Sequence, residues 1–193
     1  MTTEQGNDLT LQIFRPSVDE IAIDDLHRRL SSTRFPDEET VDDWQQGIPL
    51  SYVQELSRYW RDDYDPTRLF TELNRWPNYK TCLQGIDIHF IHQRSPHTQA
   101  PALLLTHGWP GSILEFRHVI DRLSNPTAFG GRPEDAFHVV VPSLPGYGFS
   151  GKPRRPGTSV GVIADMWIEL MQRLGYDTFL AHGGDWGAMV SQA

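Results

Sequence analysis

The sequence predicts an α/β chain: a mostly parallel sheet with flanking helices, preceded by a helical N-terminal arm. Three observations carry that expectation. The hydrophobic period is helical up to about residue 78 and becomes two from Tyr79 onward. Two apolar runs lack alternation, residues 102–105 (ALLL) and 137–141 (FHVVV), as strands covered on both faces do. Helical patterns follow each run, and strands alternating with helices imply a parallel sheet with helices on both faces.

Taken in order, the arm (residues 1–78) opens with Leu9, Leu11, Ile13 and Phe14 ahead of Pro16. Ser17 and Glu20 have the spacing of a capping box, and Ile23, Leu26 and Leu30 continue at helical intervals. Pro36 then stops the helix, since it lacks a donor and disfavours helical backbone in the residue before it. A turn holding Trp44 closes at Gly47. A second helix is expected over 51–64, with Val53, Leu56 and Trp60 as its apolar stripe. Asp65-Pro66 signals a third, continued by Leu69, Leu73 and Trp76. Aromatic residues at such spacing ordinarily form core, and Trp44, Tyr59, Trp60 and Trp76 are assigned to it. The arm is expected to pack on the rest of the chain and to carry no chemistry.

Residues 79–193 hold the sheet. Residues 81–83 and 86–91, joined by Gln84-Gly85, read as a β-hairpin. The strand at 102–105 leads into HGWPGS (107–112), after which Ser112 and Glu115 form a capping box. Phe116, Val119, Ile120 and Leu123 then predict one helix. A Gly/Pro-rich connection (125–135) reaches the strand at 137–141, which runs into PSLPGYGFS (142–150). A long amphipathic helix over 159–174 buries Ile163, Met166, Trp167, Leu170, Met171 and Leu174, and Gly175 closes it. Phe179 and Leu180 begin the strand before GGDWG (183–187).

Composition narrows the function classes. At 38% hydrophobic and 11% aromatic, the 193 residues can build a core. A net charge of −8 argues against nucleic acid and anionic membrane as partners. Cys82 is the single cysteine, so neither an internal disulfide nor a cysteine metal cluster can form. His89 and His92 fall on opposite faces of a strand, and no metal or other cofactor is expected. The N-terminus is too polar for a signal peptide or a span, which points to a soluble, cytoplasmic protein.

The chemistry centres on Asp185. Small-X-nucleophile-X-small after an apolar strand and before a helix is the pattern of a sharp nucleophile-bearing turn, with Gly183 and Gly187 where side chains would clash. Asp185 could instead serve only as a helix cap. A carboxylate with an ordinary pKa of about 3.9 is already charged at neutral pH. It is a poor nucleophile toward amides and an adequate one toward a saturated carbon with a strained or good leaving group, an epoxide or an alkyl halide. In HGWPGS, Gly108 allows close backbone approach and Pro110 fixes the direction of Trp109. His107 is read as orienting the loop by hydrogen bonding, not as a catalytic base.

HGWPGS, PSLPGYGFS and GGDWG, in this order, resemble the N-terminal half of an epoxide hydrolase of the α/β-hydrolase superfamily, in its microsomal-type and fungal branch. TRFPD (33–37), Asp43-Trp44, Tyr59-Trp60, ELNRWPNY (72–79) and GIDIHFIH (85–92) extend the resemblance through the arm. The resemblance implies a partial α/β-hydrolase fold in which Asp185 attacks the epoxide and forms a covalent ester. The backbone N–H groups of Trp109 and Trp186 would form the oxyanion hole, and Trp109, Pro110 and Trp186 would touch a small apolar substrate. His107, Gly108, Gly183, Gly184 and Gly187 would support the site. A histidine base with its acid partner and a tyrosine-bearing cap are expected beyond Ala193, so the 193 residues alone are expected not to turn over. The strand edge left there is expected to be a liability. The partner expected for it is either a second copy, in a homodimer, or a complementing C-terminal half.

Two alternatives remain. Haloalkane dehalogenases share the Asp nucleophile, but generally hold asparagine where Trp109 stands and lack the arm. A truncated, non-catalytic homologue acting as a binding or partner subunit is the other.

Overall fold

The computed structural model describes residues 10–193; Leu9 and the rest of the polar N-terminal stretch lie outside the described residues. The chain divides into two units, one taking the residues up to Arg15 together with Asn74–Ala193, the other Pro16–Leu73.

The unit Pro16–Leu73 is helical, with α1 (Glu20–Ser31), α2 (Leu50–Asp62) and α3 (Thr67–Leu73), and α1 packs against α2. The cap of α1 is Asp19, not Ser17: its carboxylate accepts from the amides of Ile21 (3.1 Å) and Ala22 (3.4 Å). A charged acceptor at a helix N-terminus outcompetes a hydroxyl placed two residues too early. Pro49 has no side-chain donor or acceptor to cap α2, and Glu39 supplies one, accepting from the Leu50 amide at 2.8 Å. Asp65 accepts from the Thr67 amide (2.9 Å) at the start of α3. The assignment of the arm aromatics to core fails for three of the four. Trp44, Tyr59 and Trp60 are 59%, 45% and 46% exposed, and α2 buries none of its residues. Helical spacing gave α2 its apolar stripe, but spacing alone does not provide a partner for it. Trp76, 4% exposed, belongs to the other unit. Its indole N–H is held by the Asp121 carboxylate at 2.7 Å.

That other unit is built on a six-stranded sheet. Its strands are β1 (Gln12–Phe14), β2 (Asn78–Leu83), β3 (Ile86–Gln93), β4 (Ala102–Thr106), β5 (His138–Pro142) and β6 (Phe179–Gly183), in the order β1-β2-β3-β5-β4-β6. The sheet is mixed. β1, β2, β3 and β5 pair antiparallel, while β5, β4 and β6 are parallel, with Leu104 opposite Val140 on one side and Ala181 on the other. β1 is a strand where the sequence suggested only the beginning of the arm. The β2–β3 turn has Gln84 at φ 48° and Gly85 at φ 80°, the two left-handed positions of the tightest hairpin.

The single helix expected after HGWPGS is instead a 3-10 turn over Ile113–Phe116, then α4 (Ile120–Ser124). Three residues per turn place Ile113 and Phe116 on the same side, and both are buried. By contrast α5 (Val160–Arg173) runs as its period implies, capped by Ser159 and closed by Gly175 at φ 84°. Its Met166, Trp167, Leu170 and Met171 are almost fully buried in one cluster with Phe90, Leu104 and Val140. Burying a side chain of that size contributes about 1.5–3 kcal/mol. Arg173 fastens the helix to β2, donating to Thr81 Oγ1 and to the Cys82 carbonyl, both at 2.8 Å. α6 (Trp186–Gln192) follows β6. Among the described residues, no helix is long and apolar enough to cross a membrane.

Candidate active site

The carboxyl ends of the parallel strands β4, β5 and β6 deliver HGWPGS, PSLPGYGFS and GGDWG to one end of the sheet. In open α/β sheets this is the end where ligands bind. Asp185 stands between β6 and α6 with φ 52° and ψ −123°, a backbone conformation that costs a non-glycine residue about 1–3 kcal/mol. Such a bend raises the side chain out of the strand and into solvent.

The bend is possible because its flanks carry no side chains. A Cβ on Gly187 would lie 1.9 Å from the Thr106 carbonyl oxygen, and one on Gly183 would lie 2.3 Å from the Gly187 backbone. Both obstacles are main chain and cannot swing aside. Gly108 has the same constraint from the opposite loop, where a Cβ would come within 2.4 Å of Asp185 Cβ. Gly184 differs, since an added Cβ there would meet nothing within 4 Å. Its contribution is its carbonyl, which accepts from the Gly187 amide at 2.8 Å.

This packing brings two of the expected groups together. The Trp109 amide donates to Asp185 Oδ1 at 2.7 Å, across 76 residues of sequence. The Trp109–Pro110 bond is cis. The Asp185 pKa lies below the ordinary carboxylate value, first because of the Trp109 N–H and second because of the Trp186 N–H. The Trp186 amide faces the carboxylate without closing a hydrogen bond of full geometry, so Trp109 is the principal donor in this state. The indoles of Trp109 and Trp186 are 66% and 47% exposed beside it.

His107 is fully buried beneath this arrangement. Its Nε2 accepts from the Leu144 amide (3.1 Å), which requires the proton on Nδ1, and Nδ1 donates to the Gly108 carbonyl (3.1 Å). Burial lowers its pKa and keeps the ring neutral. With both nitrogens occupied by main chain, His107 has no lone pair for general-base work.

The hydrogen bonding of a second buried histidine escaped the sequence reading. His89 on β3 makes hydrogen bonds to Asn78 Oδ1 (2.9 Å, Nε2) and Ser143 Oγ (3.0 Å, Nδ1), while the Ser143 amide donates to the His89 carbonyl (2.9 Å). Desolvation takes its pKa down to about 3. The two histidines therefore grip consecutive residues, Ser143 and Leu144, of the loop after β5. The available signal was a polar ring inside an apolar strand facing a serine at the head of a Gly/Pro-rich loop. His92 bonds to the Tyr176 hydroxyl and His138 accepts from the Ser95 amide, so neither reaches Asp185.

Comparison with known proteins bears on this arrangement directly. The family described as epoxide hydrolase N terminus matches residues 11–116, and the alpha/beta hydrolase fold matches 101–193. The chain belongs to the epoxide hydrolase family. The chain is 56% identical over 180 residues to a Stigmatella aurantiaca protein whose name assigns it provisionally as an epoxide hydrolase, covering 93% of the chain and 41% of the relative. It is 37% identical over 188 residues to epoxide hydrolase 1 of Oryctolagus cuniculus, covering 95% and 41%. The solved juvenile hormone epoxide hydrolase of Bombyx mori superposes with a TM-score of 0.84 at 30% identity, over 98% of the chain and 45% of that structure. The family and the fold of the sequence resemblance therefore hold. The chain spans about two fifths of the length of the curated relatives it matches.

Proposed function

We propose that this chain carries the nucleophilic half of an epoxide hydrolase, with Asp185 as the nucleophile and the chemistry confined to residues 79–193. The observation that carries the reading is the 2.7 Å bond from the Trp109 amide to Asp185 Oδ1, on a bend where Asp185 is strained and ionised. That bond occupies one oxygen and leaves Oδ2 to attack. Oδ2 forms a bond to a ring carbon, the ring C–O bond breaks with its electron pair on oxygen, and the alkoxide takes a proton. In the resulting ester Oδ1 is the carbonyl oxygen. Water adding to the ester's carbonyl carbon, Asp185 Cγ, would place negative charge on Oδ1, where Trp109 N–H already stands and Trp186 N–H is close. The same donor thus serves the resting carboxylate and the oxyanion of the second step.

Activating that water needs a base. The hydrogen bonds of His89, His92, His107 and His138 commit these four of the eight histidines elsewhere, so none of the four is the base. The proposed base comes from a segment outside residues 79–193, and a soluble cytoplasmic setting suits the reading. The experiment is intact-mass spectrometry of the purified chain after incubation with styrene oxide. One adduct on Asp185, absent from Asp185→Asn and accumulating without diol, is expected. Steady diol release, or labelling at other residues alone, would overturn the assignment.

A further inference from the structure

Two cavities flank the first turn of α5 and share Thr158 in their linings. The first, of about 390 Å³, begins at the Trp186 indole beside the nucleophile and is walled by Leu144, Tyr147, Val160, Ile163 and Val190. Its lining is mostly apolar, with Thr158 and Ser159 the small polar exceptions. The second, of about 640 Å³, is polar and lined by Lys152, Arg154 and Arg155 from the loop before α5. Asp87 also lines it and offsets one of the three cations, leaving a positive excess. None of the three basic side chains is engaged in an ion pair among the described residues. In a chain of net charge −8, a local basic excess within eight residues of a helix start is against the general trend.

Resting on the epoxide reading of Asp185, we propose that the substrate is amphipathic: an epoxide whose long apolar arm ends in an anion such as a carboxylate. The epoxide carbon meets Asp185, the arm lies along Trp186 into the apolar cavity, and the anion passes Thr158 to Lys152, Arg154 and Arg155. An apolar arm gains by leaving water along this path. The anion gains only what an exposed ion pair contributes, so it sets preference more than affinity.

The test uses the purified chain and the initial rate of Asp185 labelling, read by intact mass, for 9,10-epoxystearic acid and its methyl ester below the critical micelle concentration. In labelling, the Asp185–carbon bond forms, the ring C–O bond breaks, and solvent water protonates the departing oxygen. The acid is expected to label about threefold to fivefold faster than the ester at low salt, the size an exposed ion pair carries. In the double variant Arg154→Ala/Arg155→Ala that ratio falls to near one, whereas Arg132→Ala, at a remote basic position, preserves it. Ile163→Trp slows both long substrates by filling the apolar cavity. Equal rates for acid and ester, or a ratio untouched by the double variant, would overturn the proposal.

Failure of the nucleophile reading is distinguished by a measurement that needs no reaction. Decanoate added to the 15N-labelled chain is expected to shift both the Trp186 indole and the amides of residues 152–158, and octanol only the former. If no epoxide labels Asp185 but decanoate produces both sets of shifts, the cavities bind as stated and the nucleophile assignment falls. If decanoate leaves residues 152–158 unmoved, the anion subsite is wrong whatever Asp185 does.

Discussion

His107 Nε2 takes the amide proton of Leu144 at 3.1 Å, and through that one bond the loop carrying the Trp109 donor is tied to the loop after β5. Main chain bonds to both nitrogens of the ring, so no other side chain reproduces the connection without moving a loop. Replacing His107 by Phe keeps the ring's bulk and strands a buried N–H, which costs about 1–3 kcal/mol. A fall in urea-unfolding stability of that size is expected, together with slower labelling of Asp185. Unchanged stability would show that water substitutes for the ring.

Gly108→Ala tests the Trp109–Asp185 contact from the other side. Its Cβ would have to displace the Asp185 side chain, and with it the bond that holds the carboxylate ionised. The Asp185 pKa should rise toward its ordinary value, because the largest cause of its depression is removed. The acid limb of the labelling rate, followed from pH 3 to 6, should move upward in pH relative to the parent chain. Gly184→Ala, with open space at its Cβ, should leave that limb in place.

Strain at Asp185 is measurable by comparing two truncations. At ordinary positions glycine is less stable than alanine by about 0.5–1 kcal/mol. At φ 52° alanine retains the strain and glycine loses it, so the order should reverse, with Asp185→Gly the more stable by about 1 kcal/mol. Thermal unfolding of the two variants decides the sign. Neither should form an adduct.

Acid should unfold this chain from within the sheet. His89 and His92 have folded pKa values of about 3 and about 4, both lowered from 6.5 chiefly by burial. Each depressed histidine binds its proton more readily unfolded than folded. The stability contributed by the neutral rings is therefore complete above about pH 6.5 and is lost as pH falls toward 4. Between these limits the slope approaches about 1.4 kcal/mol per pH unit for each group. Urea unfolding at pH 7, 6, 5 and 4.5 should show it, and His89→Gln should flatten the slope by about one proton.

The bend at Asp185 was legible because it depends on residues whose absence of side chain is itself the signal: Gly183 and Gly187 around Asp185, and Gly108 opposite. The hairpin at Gln84-Gly85 and the face of α5 were legible for the same reason, since local period and turn chemistry determine them. What escaped depended on distant partners. No local pattern says that β5 enters between β3 and β4, so the polar ring of His89 in an apolar strand marked a buried partner without naming Ser143. Nor does helical spacing reveal whether a stripe is covered, as Trp44, Tyr59 and Trp60 show. The 3-10 turn at Ile113–Phe116 satisfied the same i, i+3 pattern as a helix, which spacing does not separate.

Gly184 alone among the glycines around the bend has room for a side chain, and it immediately precedes Asp185. It is accordingly the place to install a reporter. A cysteine at that position, in a chain whose native thiol is Cys82 far along β2, would accept a fluorophore or a spin label next to the Asp185 carboxylate while the three closed positions hold the geometry. Occupancy of the site could then be followed in real time with substrates too slow to leave a measurable product.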